Sequence, residues 1–555
     1  MAENKGYNKV SVLVVGAGPG GLAAAITVKK LKPDIDVCVI EKGAEPGNHN
    51  LSGAVLEADA LHKLLDMAMP DWRNSEQAKQ ILARKVEVDD ILFMTPDKFA
   101  FKINPMIELG KLLHLGFGQM VHKGDYVVSI SKLTKWLADI AGQTGIEVMT
   151  GFAVEDILLE PSGKATDVKL VDQGRDKEGH PLPNFLQGEI INADIIILAE
   201  GCDGLVTEKF ITKAGLRRRT SQLYSVGVKE IIKIKPEQYQ KFGDNRVIHA
   251  MGYPLWIPFA GPNMFGGGIM YSCGDNLVSL GMIVGLDWQY CDFNPQDALT
   301  HFKNHKHIKQ FIDGGSIVAA GAKMIPEGGF FAVPRDPMTG AVGKSNVLIV
   351  GDSAGFVNMN KIKGLHNAIE SGMIAAKAVT ATLNNPEGTA LRYTQMLDSS
   401  SVDKEMRSAQ NFRQTVAKFG PTIGFPLSAV SNLLPKFKTE PDYEVMTAKR
   451  YKYKGNKEFD KDTFTAMAAT QHREEQPSHL SILDSDICRT KCTPNFNSPC
   501  ITFCPAGVYE CIHDVVKPAN PSNCLHCKTC QRKCPFDNIR WTVPEGSGGP
   551  RYKIM

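Results

Sequence analysis

Cys524, Cys527, Cys530 and Cys534, the last followed by Pro535, stand at the spacing C-x2-C-x2-C-x3-C-P. Thiolates at that spacing suit an iron–sulfur cubane: three cysteines wrap one [4Fe–4S] cluster, and the fourth points to a neighbouring one. Zinc is the competing metal, but structural zinc sites favour separated cysteine pairs. The fourth ligand of the first cluster should be another Cys-Pro, and Cys504-Pro505 supplies it, giving Cys504, Cys524, Cys527 and Cys530. By the same reciprocity Cys534 joins Cys488, Cys492 and Cys500, which form a stretched copy of the run. That predicts a second [4Fe–4S] centre. A three-iron centre lacking Cys488, or a group of plain buried thiols, is the alternative, and Cys511 is left over.

A second chemistry is written at the other end. Val10–Val15 is a β-branched run, Gly16-Ala-Gly18-Pro-Gly-Gly21 follows at once, and a helical stretch begins at Leu22. Gly16 permits a tight turn, Gly18 lets backbone approach a pyrophosphate, and Gly21 lets helix and strand pack closely. The helix N-terminus then offers unpaired N–H groups to phosphate. The next apolar strand, Val37–Ile40, ends at Glu41, 25 residues after Gly16, where an acid accepts ribose hydroxyls. Two later stretches choose FAD over NAD. Asp194–Gly204, with Gly201, Asp203 and Gly204, resembles the return motif of flavin-dependent hydroxylase-like folds. Asn346–Gly355 resembles their ribityl-binding Gly-Asp, here Gly351 and Asp352, ahead of a helix starting near Gly364. That helix's dipole would favour negative charge on a reduced flavin. No second glycine fingerprint offers itself for a nicotinamide. Gly266-Gly-Gly268 reads as a strand edge, either approaching something flat or forming a bulge.

These sites need scaffolds. A chain of 555 residues exceeds one hydrophobic core, so two or three domains are expected. The reading is α/β: a discontinuous Rossmann-type FAD domain of the glutathione-reductase/hydroxylase kind (1–100, 125–215 and 330–385), a β-rich quinone-side domain (101–124, 216–329 and 386–464), and an α+β ferredoxin-like iron–sulfur domain (465–555). A net charge of +3 argues against nucleic acid, and Arg217-Arg-Arg219 reads as a solvated face. Nine of the 13 cysteines lie between 488 and 534, which favours metal over disulfides. The scattered Cys38, Cys202, Cys273 and Cys291 read as buried thiols. Residues Met1–Lys9 carry no leader pattern, and no apolar run is long enough to span a bilayer. A cytoplasmic protein with peripheral membrane contact is expected.

His49-Asn-Leu-Ser-Gly53, Gly124–Val128, Trp136, Gly227-Val-Lys-Glu230, Gly285-Leu-Asp-Trp288, Asn360–Gly364, Phe503–Glu510 and Val543–Pro550 complete the pattern. Together with the two motifs above they resemble, over nearly the whole chain, the electron-transfer-flavoprotein:quinone oxidoreductases and the related FixC-like flavoproteins that pair with a FixX ferredoxin. The resemblance implies an oxidoreductase taking electrons from a reduced electron-transfer flavoprotein, an α/β heterodimer, through [4Fe–4S] and FAD to ubiquinone or menaquinone. It implies Gly53 at the FAD, and a quinone headgroup against Gly266 and Gly267 with Phe265 as a wall or a core residue. It also implies a seat on the cytoplasmic face of a prokaryotic inner membrane. The candidate membrane segments are Ile103–Val121, with Leu112, Leu113 and Phe117, and Phe419–Phe437; internal core is the alternative. The respiratory members carry one cluster and no cysteine in place of Cys534. Met324–Gly329 and Gly351–Gly355 lean to the FixC-like branch, so a fused subunit of an electron-bifurcating complex is a second reading. A prenyl-chain reductase sharing the flavin fold, and a carrier subunit that binds no quinone, are lesser ones. His366 and Glu370 fall on the helix after Gly364, and no proton donor is assigned.

Overall fold

The computed structural model of the protein describes residues 8–555 apart from 54, 97, 437, 454–458 and 514. Residues 1–7 of the stretch read as leader-free, and the Phe437 end of the second apolar segment, lie outside the described residues.

The first β-branched run forms strand Asn8–Val15 at the centre of a mainly parallel sheet. Val37–Glu41 and then Glu147–Thr150 flank it on one side. Ile190–Leu198 and then Val347–Ile349 flank it on the other. Strands covered on both faces carry unbroken apolar runs, and Ile195–Leu198 is fully buried. Helices Pro19–Leu31 and Leu365–Ala381 pack against each other through glycine. A Cβ on Gly372 would lie 2.2 Å from the Gly20 carbonyl oxygen.

A second, seven-stranded sheet runs in the order Ser316–Pro326, Tyr224–Lys233, Leu277–Gly285, Gly266–Gly274, Arg246–Gly252, Val88–Met94, Ala100–Lys102. It is antiparallel except where Val88–Met94 lies parallel to Arg246–Gly252. Strand Val88–Met94 thus sits in the second sheet, although the sequence division placed residues 1–100 with the first. Its partner is more than 150 residues away, and nothing local marks the pairing.

The C-terminal tail is built from short helices, a small antiparallel pair of Leu480–Ile482 with Ile539–Trp541, and a hairpin of Tyr509–Ile512 with Val515–Pro518. Its apolar side chains share one core with the second sheet, where Phe503 meets Trp288 edge-to-face at 5.9 Å. The whole is mixed α/β, as expected. Cys38, Cys202 and Cys291 are buried, Cys273 is half-buried and Cys511 is exposed. Arg218 departs from the expected solvated face, because Glu208 holds its guanidinium through two bonds of 2.6 and 2.9 Å. Among the described residues no helix is long and apolar enough to cross a membrane.

Candidate functional site

A long cavity opens between the two sheets. Gly16, Gly18, Glu41, Gly53, Gly201, Gly351, Asp352 and Gly364 all line it. Gly16 has φ +107°, and a Cβ there would lie 2.4 Å from the Ala199 carbonyl oxygen, so the first turn tolerates only glycine. Helices Pro19–Leu31 and Leu365–Ala381 both aim their N-termini into the cavity, through Gly18, Pro19 and Gly20 and through Gly364 and Leu365. Two positive dipole ends thus face one space. Glu41 ends its strand with Oε2 accepting from Ala17 N at 2.9 Å and Oε1 from Gly43 N at 2.7 Å. Burial pushes the Asp352 carboxyl up to about 6.

Besides Lys363, which pairs with Asp125, four lysines also face this space, and their spacing in the sequence does not announce them: Lys42, Lys229, Lys323 and Lys528. Burial, with Lys528 and Lys323 nearby, brings the Lys42 amine down to about 7. Burial brings Lys229 to about 8, and burial with Lys528 lowers Lys323. Amines crowded around a desolvated cavity fit an anionic occupant. With the helix N-termini and the glycine cradle, the lining suits a dinucleotide pyrophosphate and a flavin ring that gains negative charge on reduction.

Other sequence candidates lie elsewhere. Gly21 packs helix on strand, a Cβ there falling 2.1 Å from the Gly16 carbonyl oxygen. Gly204 caps helix Leu205–Lys213 beside Glu200, whose carboxylate accepts from Thr207 N and Oγ1. Asp203 is turned from the cavity and buried against the Arg532 guanidinium. Gly266 and Gly267 do not line the cavity either. Their missing side chains are needed for the chain itself, since a Cβ would strike the Ile283 and Ala250 carbonyl oxygens at 2.0 and 2.4 Å. The second sheet reaches the cavity instead through Gly227, Ile269, Gly281 and Ile283. Phe265 stacks under the Arg413 guanidinium at 4.2 Å. His366 is hydrogen-bonded to Glu405 at 2.8 Å, and Glu370 pairs with Lys63 at 3.5 Å.

The tail cysteines assemble into two groups of four. Cys504, Cys524, Cys527 and Cys530 line one hollow with Phe503, Ala506, Val508 and Leu525. Cys488, Cys492, Cys500 and Cys534 line a second with Ile482, Val516 and Ile539. The two quartets are the ones the spacing predicts. Burial pushes Cys530 and Cys492 up to about 12, and Cys524 and Cys500 well above the usual thiol range. Packed together in apolar surroundings, these sulfurs ionise only against a strongly cationic centre, which is what iron–sulfur ligation provides. Asn538 donates to two sulfurs of the second group, from its backbone N to Cys534 at 3.3 Å and from Nδ2 to Cys488 at 3.4 Å.

Lys528 joins the flavin cavity to the first quartet. It stands between Cys527 and Thr529, lines both spaces, and donates to the carbonyl oxygens of Cys202 and Asp203. Beside it His49, on the cavity wall, meets His526 edge-to-face with ring centres 5.3 Å apart.

Residues 455–553 match the family model for the 4Fe-4S part of electron transfer flavoprotein-ubiquinone oxidoreductase. Residues 224–325 match its ubiquinone-binding model, and residues 14–84 an NAD(P)-binding Rossmann-like domain. The mitochondrial electron transfer flavoprotein-ubiquinone oxidoreductase of Arabidopsis thaliana is 36% identical, over 98% of this chain and 84% of that protein. The Pseudomonas aeruginosa protein of the same name is 33% identical over 99% of each. Among solved structures, a geranylgeranyl bacteriochlorophyll reductase-like protein from Thermoplasma acidophilum matches with a TM-score of 0.55 and 18% identity. That match covers 77% of this chain and 93% of the other, and it is a likeness of fold alone.

Proposed function

The chain belongs to the electron transfer flavoprotein–ubiquinone oxidoreductase family, and from that premise we propose how its residues divide the work. It is an oxidoreductase that passes electrons from reduced electron transfer flavoprotein to quinone, with FAD and a [4Fe–4S] centre. The centre supplies one-electron exchange and the flavin two-electron exchange, which suits a one-electron donor and a two-electron acceptor.

Cys504, Cys524, Cys527 and Cys530 hold the [4Fe–4S] centre. Gly16, Gly18 and the N-terminus of helix Pro19–Leu31 take the pyrophosphate, Glu41 the adenosine ribose, and Gly351 and Asp352 the ribityl chain. The observation that carries this reading is Lys528, a single residue on the wall of both the flavin cavity and the first cysteine hollow. It holds the two carriers in contact with one common residue. Lys42, Lys229 and Lys323 offset the negative charge that reduction brings. The quinone ring lies against Gly227 and Gly281, whose bare backbones admit a flat group, with Ile269 and Ile283 beside them. All four fall inside the matched ubiquinone-binding stretch.

Cys488, Cys492, Cys500 and Cys534 hold a second [4Fe–4S] centre, with Asn538 donating to two of its sulfurs. The protein docks peripherally on a membrane through its two apolar segments, which lie side by side. Gly116 N donates to the Ala429 carbonyl oxygen at 2.8 Å, and the Phe117 and Phe425 rings stack at 6.4 Å. Leu112 is 75% exposed there, Ile423 62% and Leu433 79%.

Iron and acid-labile sulfide per FAD on anaerobically isolated protein, with low-temperature EPR, test the cluster assignment. About eight iron with interacting spins supports two centres, and Cys534→Ser should then bring the count to about four. About four iron in the unaltered protein sinks the second centre. Turnover of the isolated chain with reduced electron transfer flavoprotein and a short-chain quinone tests the function. Flavin reduction without quinone reduction would instead favour the carrier-subunit reading.

A further inference from the structure

Far along the second sheet from the cysteine tail, three segments bring Asp89, His122 and His249 together. Their candidate ligand atoms all fall within 4.8 Å of one another. Asp89 comes from strand Val88–Met94, His249 from its parallel neighbour Arg246–Gly252, and His122 from the stretch following the apolar segment at 103–121. His122 is 1% exposed and His249 8%. Four buried polar atoms in this group have no hydrogen-bond partner among the described residues: Asp89 Oδ1, both ring nitrogens of His122, and His249 Nδ1. A buried donor or acceptor left without a partner destabilises the fold. Three of these orphans, one from each residue, converge on one place and mark it as a spot where something binds.

We propose that Asp89, His122 and His249 form a site for a divalent transition-metal ion, separate from the iron–sulfur and flavin centres. Two imidazoles and one carboxylate are ligands such ions take, with a coordination position left for water. Asp89 Oδ1 and His249 Nδ1 stand 3.7 Å apart. Two ligands on a tetrahedral ion with bonds near 2.05 Å lie roughly 3.3 Å apart, so a small inward adjustment closes the site. The second layer is already built. Asp89 Oδ2 accepts from His122 N at 2.8 Å, fixing the carboxylate. The Asn104 amide clamps the strand, donating to the Asp89 carbonyl oxygen at 2.8 Å and accepting from Ile91 N at 3.0 Å. Such outer contacts orient metal ligands. An opening bordered by Glu87, Asp89, Glu108 and Lys123 gives the ion a way in. Bound there, the ion would join two strands to the stretch that follows the exposed apolar helix Asn104–Leu112, and so brace that surface from beneath.

The test uses holoprotein with its full complement of iron and FAD, so that vacant cysteine sites take up no zinc. After treatment with a chelator the protein is titrated with Zn²⁺, and in parallel with Co²⁺ as an optical probe. One equivalent of Zn²⁺ per FAD is expected, together with visible Co²⁺ ligand-field bands and a higher melting temperature. His122→Ala and Asp89→Asn should each weaken Zn²⁺ binding tenfold or more while iron and FAD stay unchanged. Asp89→Asn keeps the side-chain shape, so it remains informative if the histidine variant fails to fold. Equal Zn²⁺ uptake by the unaltered protein and Asp89→Asn, or no uptake by either, overturns the proposal and leaves a site filled by water alone.

Discussion

Lys528 Nζ donates to the Cys202 carbonyl oxygen at 3.4 Å and fastens the loop between two cluster cysteines to the turn that closes the flavin cavity. The same amine faces the cavity with Lys42 and Lys323, which its charge helps to depress. Lys528→Met keeps most of the volume and removes a cation from beside the flavin. The two-electron potential of the bound FAD should fall by about 30 mV, equivalent to about 1.4 kcal/mol. Spectroelectrochemistry reads this directly, with iron per FAD as the control. An unchanged potential would show that Lys528 is only a tether.

Arg413 is fully buried and bonded to two acids, Asp287 at 2.7 and 2.9 Å and Glu327 at 2.9 Å. Replacing it with leucine strands two carboxylates in the interior. Breaking a buried ionic group from one side costs about 3–5 kcal/mol, so Arg413→Leu should lower the urea midpoint sharply and release FAD early. Arg413→Lys should recover only part of the loss, because an ammonium cannot reproduce the planar fork that grips Asp287. Full recovery by lysine would mean that charge alone matters there.

The parts of the site that were legible in the sequence are those whose ligands are neighbours in the chain. Gly16, Gly18 and Glu41 belong to one strand–turn–helix–strand unit, and the tail cysteines to one short tract, so spacing carried their geometry. The four lysines stand at 42, 229, 323 and 528, each on a different element, and only the packed fold brings them to one wall. Gly281 was hidden for the same reason, and Gly227 stood out only as part of a segment with a family resemblance. Gly266 and Gly267 lie outside the cavity lining, and a glycine needed for close backbone packing looks, in sequence, like one needed for a flat ligand. Asp203 misled because its partner, Arg532, lies 329 residues away. The strand Val88–Met94, inside the 1–100 stretch read as part of the FAD domain, pairs with Arg246–Gly252, and a partner so distant in the chain leaves no local trace.

Glu405 carries a pH dependence whose sign can be worked out. Its carboxylate accepts from His366 at 2.8 Å and from Lys361 at 2.8 Å, and these partners hold it at about 2 against a usual 4.5. A depressed carboxyl stabilises the fold fully above its unfolded pKa, and that stability is lost as the pH falls through the folded value. The window therefore runs from about 4.5 down to about 2. At neutral pH Glu405→Gln should cost on the order of 2–3 kcal/mol. The gap between the two proteins in urea unfolding should narrow as the pH is lowered from 5 toward 3. A gap that stays constant over that range would place the loss in packing rather than in ionisation.

The apolar surface gives a prediction that separates membrane docking from chemistry. Leu112 and Ile423 project from segments joined by the Gly116–Ala429 hydrogen bond, and neither lines the flavin cavity. Sinking two such side chains into a bilayer interface is worth about 1.5–3 kcal/mol each. The double variant Leu112→Glu, Ile423→Glu should therefore bind phospholipid vesicles about a hundredfold more weakly in sedimentation. Turnover with a short-chain, water-soluble quinone should hold, while turnover with a long-chain quinone embedded in vesicles should drop with the binding. If vesicle binding survives the two glutamates, the membrane contacts some other surface, and the exposed leucines belong to a protein interface instead.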